Sequence, residues 1–478
     1  MVFSSGEFLF LYLPLSLILY FLAPLKWRNL ILFVISAIFY GWEKPIYLLI
    51  MLFVIVINYI SGILIDRAKK NPKRRKQILY LGVLINLLIL GFFKYADFLL
   101  ETLAHIPILS FIEPVDVSLP IGISFYIFQS MSYVIDVYCD TSPAQRKFAN
   151  FGAYISMFPQ LIAGPIVKYS DIDAELNERK CSIAESSDGV RRFIVGLAKK
   201  VLLADTAGVL WEQIEGAPRD ETSVLGLWLG IILYSFQIYF DFSGYSDMAI
   251  GLGKILGFHF PENFNYPYMA RSITDFWRRW HITLSSWFRE YVYIPLGGNR
   301  CGVKRLVLNL LIVWLLTGLW HGASWNFVLW GLYYFVLLVL EKLFLAKLLD
   351  KLPCALSHIY ALFFIVIGWL IFYFKSDLGG FEELSLYFGG MLGFSNLPFV
   401  NGELGYLLQS NFLFLAVLCI ACTPYPKKIF LKIKGRLKKE SNRLAFSTLF
   451  DILLILVFVL CIAYISSSEY RPNIYYEF

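Results

Sequence analysis

Leu306-Val307-Leu308-Asn309-Leu310-Leu311-Ile312-Val313-Trp314-Leu315-Leu316-Thr317-Gly318-Leu319 carries almost no polar residue, and it ends on Trp320-His321. About 20 apolar residues in a helix span the hydrocarbon core of a bilayer, so a run of this kind suits a membrane crossing. It is one of many. Apolar runs of 17–22 residues recur along a chain of 478 residues that is 58% hydrophobic and 18% aromatic. A large soluble helical protein would need far more polar residues to cover its surface, which excludes that class. A length that would suggest about three soluble domains therefore suggests one polytopic membrane domain, all-α.

The residue that closes the run carries the chemistry. An ionisable side chain at membrane depth costs a few kcal/mol or more, so His321 is a functional-site candidate by default. An imidazole suits a general base, because its unperturbed pKa of about 6.5 leaves the neutral form available at cytoplasmic pH. Upstream, a second Trp-His pair, Trp280-His281, lies forty positions away; the chain has five His in all. His281 sits in the basic, aromatic stretch Asp275-Phe276-Trp277-Arg278-Arg279-Trp280-His281. That pattern predicts an amphipathic surface helix at the membrane–water boundary.

Three pieces of this region carry a resemblance: PENFNYPY from Pro261, SITDFWRRWHITLSSWFREYVYIPLGG from Ser272 and LTGLWHGASWNFVLWG from Leu316. Together they resemble the signature of the membrane-bound O-acyltransferase family, in the bacterial branch that includes alginate O-acetylation. PLIAGP-like wording at residues 159–165 and the hydropathy extend a weaker similarity over most of the chain. The resemblance implies that His321 is the catalytic His. It implies that His281, at the family's second motif position, orients the donor or stabilises the oxyanion. Trp320, Arg278 and Arg279 become candidate substrate-binding residues. The implied donor is a cytosolic thioester, with acetyl-CoA leading and no permanently bound cofactor, and the acceptor lies outside. A separate extracytoplasmic acetyltransferase or acceptor protein is the implied partner, beside membrane lipid. No Ser-His-Asp wording or GxSxG elbow appears, so a covalent serine enzyme is not indicated.

Charge gives the topology. The net charge of +7 is concentrated in short loops, as the positive-inside rule expects, which argues against nucleic-acid binding. Residues 67–76 hold seven basic residues and no acid, the strongest cytoplasmic marker. Arg271, Arg278, Arg279, Arg289, Arg300, Lys304 and Arg305 crowd the signature region. They mark cytoplasmic loops, meet an anionic donor such as the phosphates of coenzyme A, or do both. Alternating the sides gives 11–12 transmembrane helices, plus re-entrant and interfacial helices around a central funnel. The first run, residues 8–25, lacks a basic flank and a cleavage site and reads as a retained span. The chain divides into N-terminal spans at 1–138, a catalytic core with broken helices at 139–350, and C-terminal spans with an aromatic tail at 351–478. The expected location is a bacterial inner membrane.

Some features have plainer readings. Pro159, Gly164 and Pro165 interrupt residues 151–167, predicting a re-entrant or buried broken helix, since broken backbone at membrane depth survives only inside protein or beside a cavity. Asp241 and Asp247 flank a Gly, but no His or third ligand is near, so loop hydrogen bonding or a part in shaping the site is expected rather than metal binding. The seven Cys show no metal-ligand spacing. The tail, Arg471-Pro472-Asn473-Ile474-Tyr475-Tyr476-Glu477-Phe478, resembles the aromatic C-terminal motif of the alginate-acetylation branch. It is either an interfacial anchor or a segment that brings Tyr475 to the external mouth to receive or position the acyl group. Three functions compete: acetyl transfer for an exported polysaccharide, D-alanyl transfer to teichoic acid from a carrier-protein thioester, and a non-enzymatic transporter subunit. The long chain and aromatic tail favour the first, and the lack of a visible repeat weighs against the last.

Overall fold

A computed structural model describes residues 2–218, 221–300, 302–374 and 381–467. The chain is all-α and spans the membrane several times. In order, the helices are α1 (Leu13–Leu22, continuing a π turn at Phe8–Tyr12), α2 (Arg28–Gly41), α3 (Pro45–Arg67), α4 (Pro72–Ala104), α5 (Ile123–Tyr138), α6 (Phe148–Ser156) and α7 (Tyr169–Asn177). Then come α8 (Ile183–Ala198), α9 (Asp205–Glu215), α10 (Val224–Leu256), α11 (Ile273–Trp277), α12 (Ile282–Phe288), α13 (Gly302–His321) and α14 (Trp325–Leu340). The rest are α15 (Ala346–Leu349), α16 (Cys354–Tyr373), α17 (Glu382–Met391), α18 (Gly402–Ser410), α19 (Phe412–Ala421), α20 (Tyr425–Arg436) and α21 (Glu440–Ser467).

Seven helices among the described residues are long and apolar enough to cross a membrane, or eight if α18 and α19, bent by 65°, form one broken span. The sequence count of 11–12 includes shorter pieces such as α2 and α5. Deep in a bundle a helix need not be apolar all round or cross in one piece, because neighbouring protein satisfies its polar groups. The outer helices show the reverse of a soluble surface: Leu81, Leu84 and Leu88 of α4 and Leu453, Ile455 and Leu456 of α21 are exposed, as lipid-facing residues should be.

Two helices pack at unusually close range beneath the site. Gly189 and Gly196 of α8 face Gly251 and Gly244 of α10, and a Cβ added to Gly189 or Gly196 would sit 2.6 Å from the opposing glycine's carbonyl oxygen. Seven-residue spacing on both helices keeps the small residues in register. In lipid, where apolar side chains gain little by leaving the solvent, backbone approach of this kind drives helix association. Ion pairs frame the same contact. Lys200 lies 2.9 Å from Asp241, and Asp247 pairs with Lys199 at 2.6 Å and Arg192 at 2.8 Å. The expectation of a loop at residues 241–247 is thereby corrected. α10 runs unbroken to Leu256, because both carboxylates are matched by cations on the facing chain and need no solvent. Gly257, at φ 84°, ends it.

Residues 157–167 follow α6 as irregular, fully buried backbone, in keeping with the broken helix expected there. Two of its donors are met from other elements: Phe158 N–H donates to Ser36 Oγ at 3.1 Å and Ile166 N–H to Thr283 Oγ1 at 3.0 Å.

Candidate active site

The signature region folds as short pieces rather than long helices: a 3₁₀ turn at Pro267–Met269, then α11, α12 and a π turn at Arg289–Tyr293. Glu341 caps α11, accepting from Ile273 N–H at 2.6 Å and Thr274 N–H at 2.8 Å. His281 occupies the N-cap of α12 with φ 42°, a left-handed backbone that turns the chain into the core. It is 1% exposed. The expected surface helix is therefore corrected at this residue: the basic residues stay outward while the kink sends the imidazole inward. Arg278 is exposed, and Arg279 is held by Asp275 at 2.8 Å. Neither arginine is among the aromatic neighbours of the two imidazoles. Tyr475 lies outside the described residues.

His321 is the last residue of α13, and the chain turns sharply there into α14. Gly318 lets the Phe327 carbonyl approach, and Gly331 does the same for Trp314. The close approach of α13 and α14 around His321 thus has a steric basis. His321 is 3% exposed and meets Trp330 edge-on at 5.0 Å and Phe372 at 5.3 Å.

Trp320 joins the two histidines. Its ring lies 5.7 Å from the His281 ring and 5.1 Å from the His321 ring, with Phe125 against it at 5.3 Å. Phe242 closes the far side of His281 at 4.8 Å. The indole N–H of Trp320 and Nε2 of His281 are buried with no hydrogen-bond partner among the described residues. Unpaired buried polar groups are costly, which makes this pair of atoms a candidate for contact with a substrate.

Asn263, from the PENFNYPY piece, was quoted by the sequence reading but given no role. Its Oδ1 lies 3.1 Å from His281 Nδ1, 2.9 Å from Thr283 Oγ1 and 3.3 Å from Thr283 N, while Nδ2 donates to Ser246 Oγ at 3.1 Å. A backbone N–H only donates, so the amide atom facing Thr283 N is oxygen. The ring nitrogen facing that oxygen must then carry the proton. His281 is consequently the Nδ1–H tautomer with a bare lone pair on Nε2. Burial pushes its pKa down to about 3, which keeps that lone pair free. The signal in the sequence was an Asn inside an aromatic, proline-bounded motif, a residue type rarely buried without a task.

Among the described residues, no three His, Cys, Asp or Glu side chains are grouped to hold a metal ion. The arrangement is a buried aromatic cluster with two imidazoles, one of fixed tautomer, on either side of an indole. It can take a proton from a hydroxyl and hold a polarised carbonyl while excluding water.

Residues 144–376, which contain Asn263, His281, Trp320 and His321, match the profile of MBOAT, the membrane-bound O-acyltransferase family. A probable alginate O-acetylase of Pseudomonas putida is 39% identical over 100% of this chain and 100% of its own. The chain belongs to the membrane-bound O-acyltransferase family. It is an O-acyltransferase and a multi-pass membrane protein. Its likeness to a probable alginate O-acetylase of Azotobacter vinelandii is higher, 45% over 78% of this chain and 75% of that one. A peptidoglycan O-acetyltransferase of Helicobacter pylori is 34% identical over 83% and 81%. This membership sets aside the non-enzymatic transporter among the readings of the sequence.

Proposed function

We propose that this O-acyltransferase passes an acetyl group from cytosolic acetyl-CoA across the bacterial inner membrane for O-acetylation of an exported polysaccharide. The observation that carries the reading is the Trp320 indole held between His321 and His281 in a water-excluding cage. His321 takes the proton of the acceptor hydroxyl, and the oxygen attacks the thioester carbonyl. The Trp320 indole N–H, otherwise unpaired, donates to the developing oxyanion. When the tetrahedral intermediate collapses, the C–S bond breaks and His321 returns its proton to the thiolate, so the proton balance closes.

His281 orients the donor. Its Nδ1–H is committed to Asn263, so it has no N–H left for an oxyanion, and Nε2 accepts a hydrogen bond from an amide or hydroxyl of the substrate. Of the two parts considered for it, orientation fits the tautomer. Arg278, exposed beside this region, draws the anionic donor to the cytosolic face, and Tyr475 receives or positions the acyl group at the outer mouth. A separate extracytoplasmic acetyltransferase then modifies the polysaccharide. Full-length similarity to O-acetylases supports acetyl over D-alanyl transfer.

The test is the O-acetyl content of surface polysaccharide in cells carrying His321→Ala, with membrane protein level followed in parallel. Loss of acetyl ester at a normal protein level is expected. Unchanged acetylation would overturn the assignment of His321 as base.

A further inference from the structure

Lys94 is a buried cation of α4 that the chemistry above does not use, 8% exposed and 22 residues beyond the Pro72 start of that helix. Its ammonium donates to the backbone carbonyl of Trp320, to that of His321 at 3.3 Å and to Ser124 Oγ at 3.3 Å. The neighbouring Tyr95 hydroxyl donates to the carbonyl of Leu319 at 2.6 Å. Two consecutive side chains of α4 thus cover the last three carbonyls of α13, the helix that ends on His321.

These carbonyls need partners. The last carbonyls of a helix have none within it, and where they are buried in protein the partners come from neighbouring side chains. Gly322, the residue after α13, leaves room for the Phe327 ring, which a Cβ there would meet. A cation at a helix C-terminus also opposes the negative end of the helix dipole. The same ammonium lies 5.8 Å from the centre of the Trp320 ring, so it faces both the backbone and the indole of the residue between the two histidines.

We propose that Lys94 is a positioning residue for acyl transfer: with Tyr95 it locks the C-terminal turn of α13 and so fixes His321 and Trp320 against the substrate. The proposal rests on the reading of His321 as the base. A buried cation held only by neutral oxygens is costly unless its geometry is used, and here two of its three hydrogen bonds fix the end of α13 while the third ties it to α5.

The experiment measures kcat and KM for acetyl-CoA in reconstituted membranes, with thermal unfolding in detergent alongside. Lys94→Met should lower kcat by about tenfold or more with the donor KM little changed, because orientation and not donor affinity is lost. Lys94→Arg, which keeps the donors, should recover part of it. Tyr95→Phe, a milder change, should lower kcat in the same direction. Asp451→Asn, which removes the distant ion pair to Arg191, should lower the unfolding temperature and leave kcat alone. In a His321→Gln background, Lys94→Met should cost nothing further. Lys94→Met at wild-type kcat, with His321→Gln inactive, would overturn the positioning role alone. Full activity of His321→Gln would instead overturn the base assignment on which it rests.

Discussion

The Asn263 side-chain oxygen lies 3.1 Å from Nδ1 of His281, and that one contact decides which face of the imidazole is basic. Replacing Asn263 by Leu leaves the Nδ1–H and the Thr283 donors without an acceptor. Stability should fall by about 1–3 kcal/mol, the usual consequence of unsatisfied buried groups. The kcat should fall by roughly 100-fold, the scale of effect expected when a bound substrate is misoriented. Asn263→Asp still accepts from these donors, but its negative charge favours imidazolium, so the acid limb of the pH–rate profile should move upward. A profile that matches wild type would remove the tautomer argument.

Trp320→Phe keeps an aromatic ring between the histidines and deletes the indole N–H. If that N–H meets the oxyanion, kcat should fall by about 100- to 1000-fold, as for loss of one preorganised donor, with little change in KM. Steady-state kinetics at saturating donor check it. A fall confined to KM would make Trp320 a wall of the chamber only.

Much of this architecture was legible from residue types. His321 at the end of an apolar run announced itself, because an ionisable group in such a place needs a reason. The broken stretch at 157–167 followed from Pro159 and Pro165. What stayed hidden depends on partners far apart in sequence. The burial of His281 is set by one left-handed residue, and its setting of Arg and Trp looked interfacial. Asp241 and Asp247 looked like loop residues because a span was not expected to carry two carboxylates. Only the facing Lys199, Lys200 and Arg192 explain why α10 continues through them. Lys94 and Trp320 are 226 positions apart, and no spacing rule joins them.

Two histidines should give opposite pH dependences of stability. His281 has its pKa depressed by burial, so the unfolded state binds a proton that the folded state refuses. Its contribution is present above about pH 6.5 and is lost as pH falls below that value, at no more than about 1.4 kcal/mol per pH unit. Wild type should therefore lose more stability than His281→Gln between pH 7.5 and pH 5.5, measured by thermal unfolding in detergent. Equal losses would mean that the imidazole is not held neutral.

His259 behaves the other way. It sits 2.6 Å from Glu175 and 3.3 Å from Glu185, and the bond to Glu175, ahead of its charge and of Glu185, raises the imidazole pKa. Its contribution is full below the unfolded value and disappears as pH rises through the raised one. His259→Gln should be less stable than wild type at pH 5.5 and indistinguishable at pH 9. The difference should be small and should shrink in salt, because the ring is half exposed. A difference that persists at pH 9 would point to packing instead of charge.

The glycine contact between α8 and α10 makes a prediction of sign. A Cβ at Gly196 would lie 2.6 Å from the Gly244 carbonyl oxygen, closer than side-chain atoms tolerate, so Gly196→Ala must push the helices apart. The expected loss is about 1–3 kcal/mol, typical of overpacking. The strain reaches the chemistry, because Ser246 of α10 holds Asn263 and through it His281, so kcat should fall as well. Gly91 of α4 is the contrast, with nothing within 4 Å of an added Cβ. There Ala only lowers the entropy of the unfolded chain and favours the helix, and stability should rise by about 0.5–1 kcal/mol. Thermal unfolding of the two variants side by side decides it. If Gly196→Ala proved as benign as Gly91→Ala, close backbone contact would not be what holds α8 against α10.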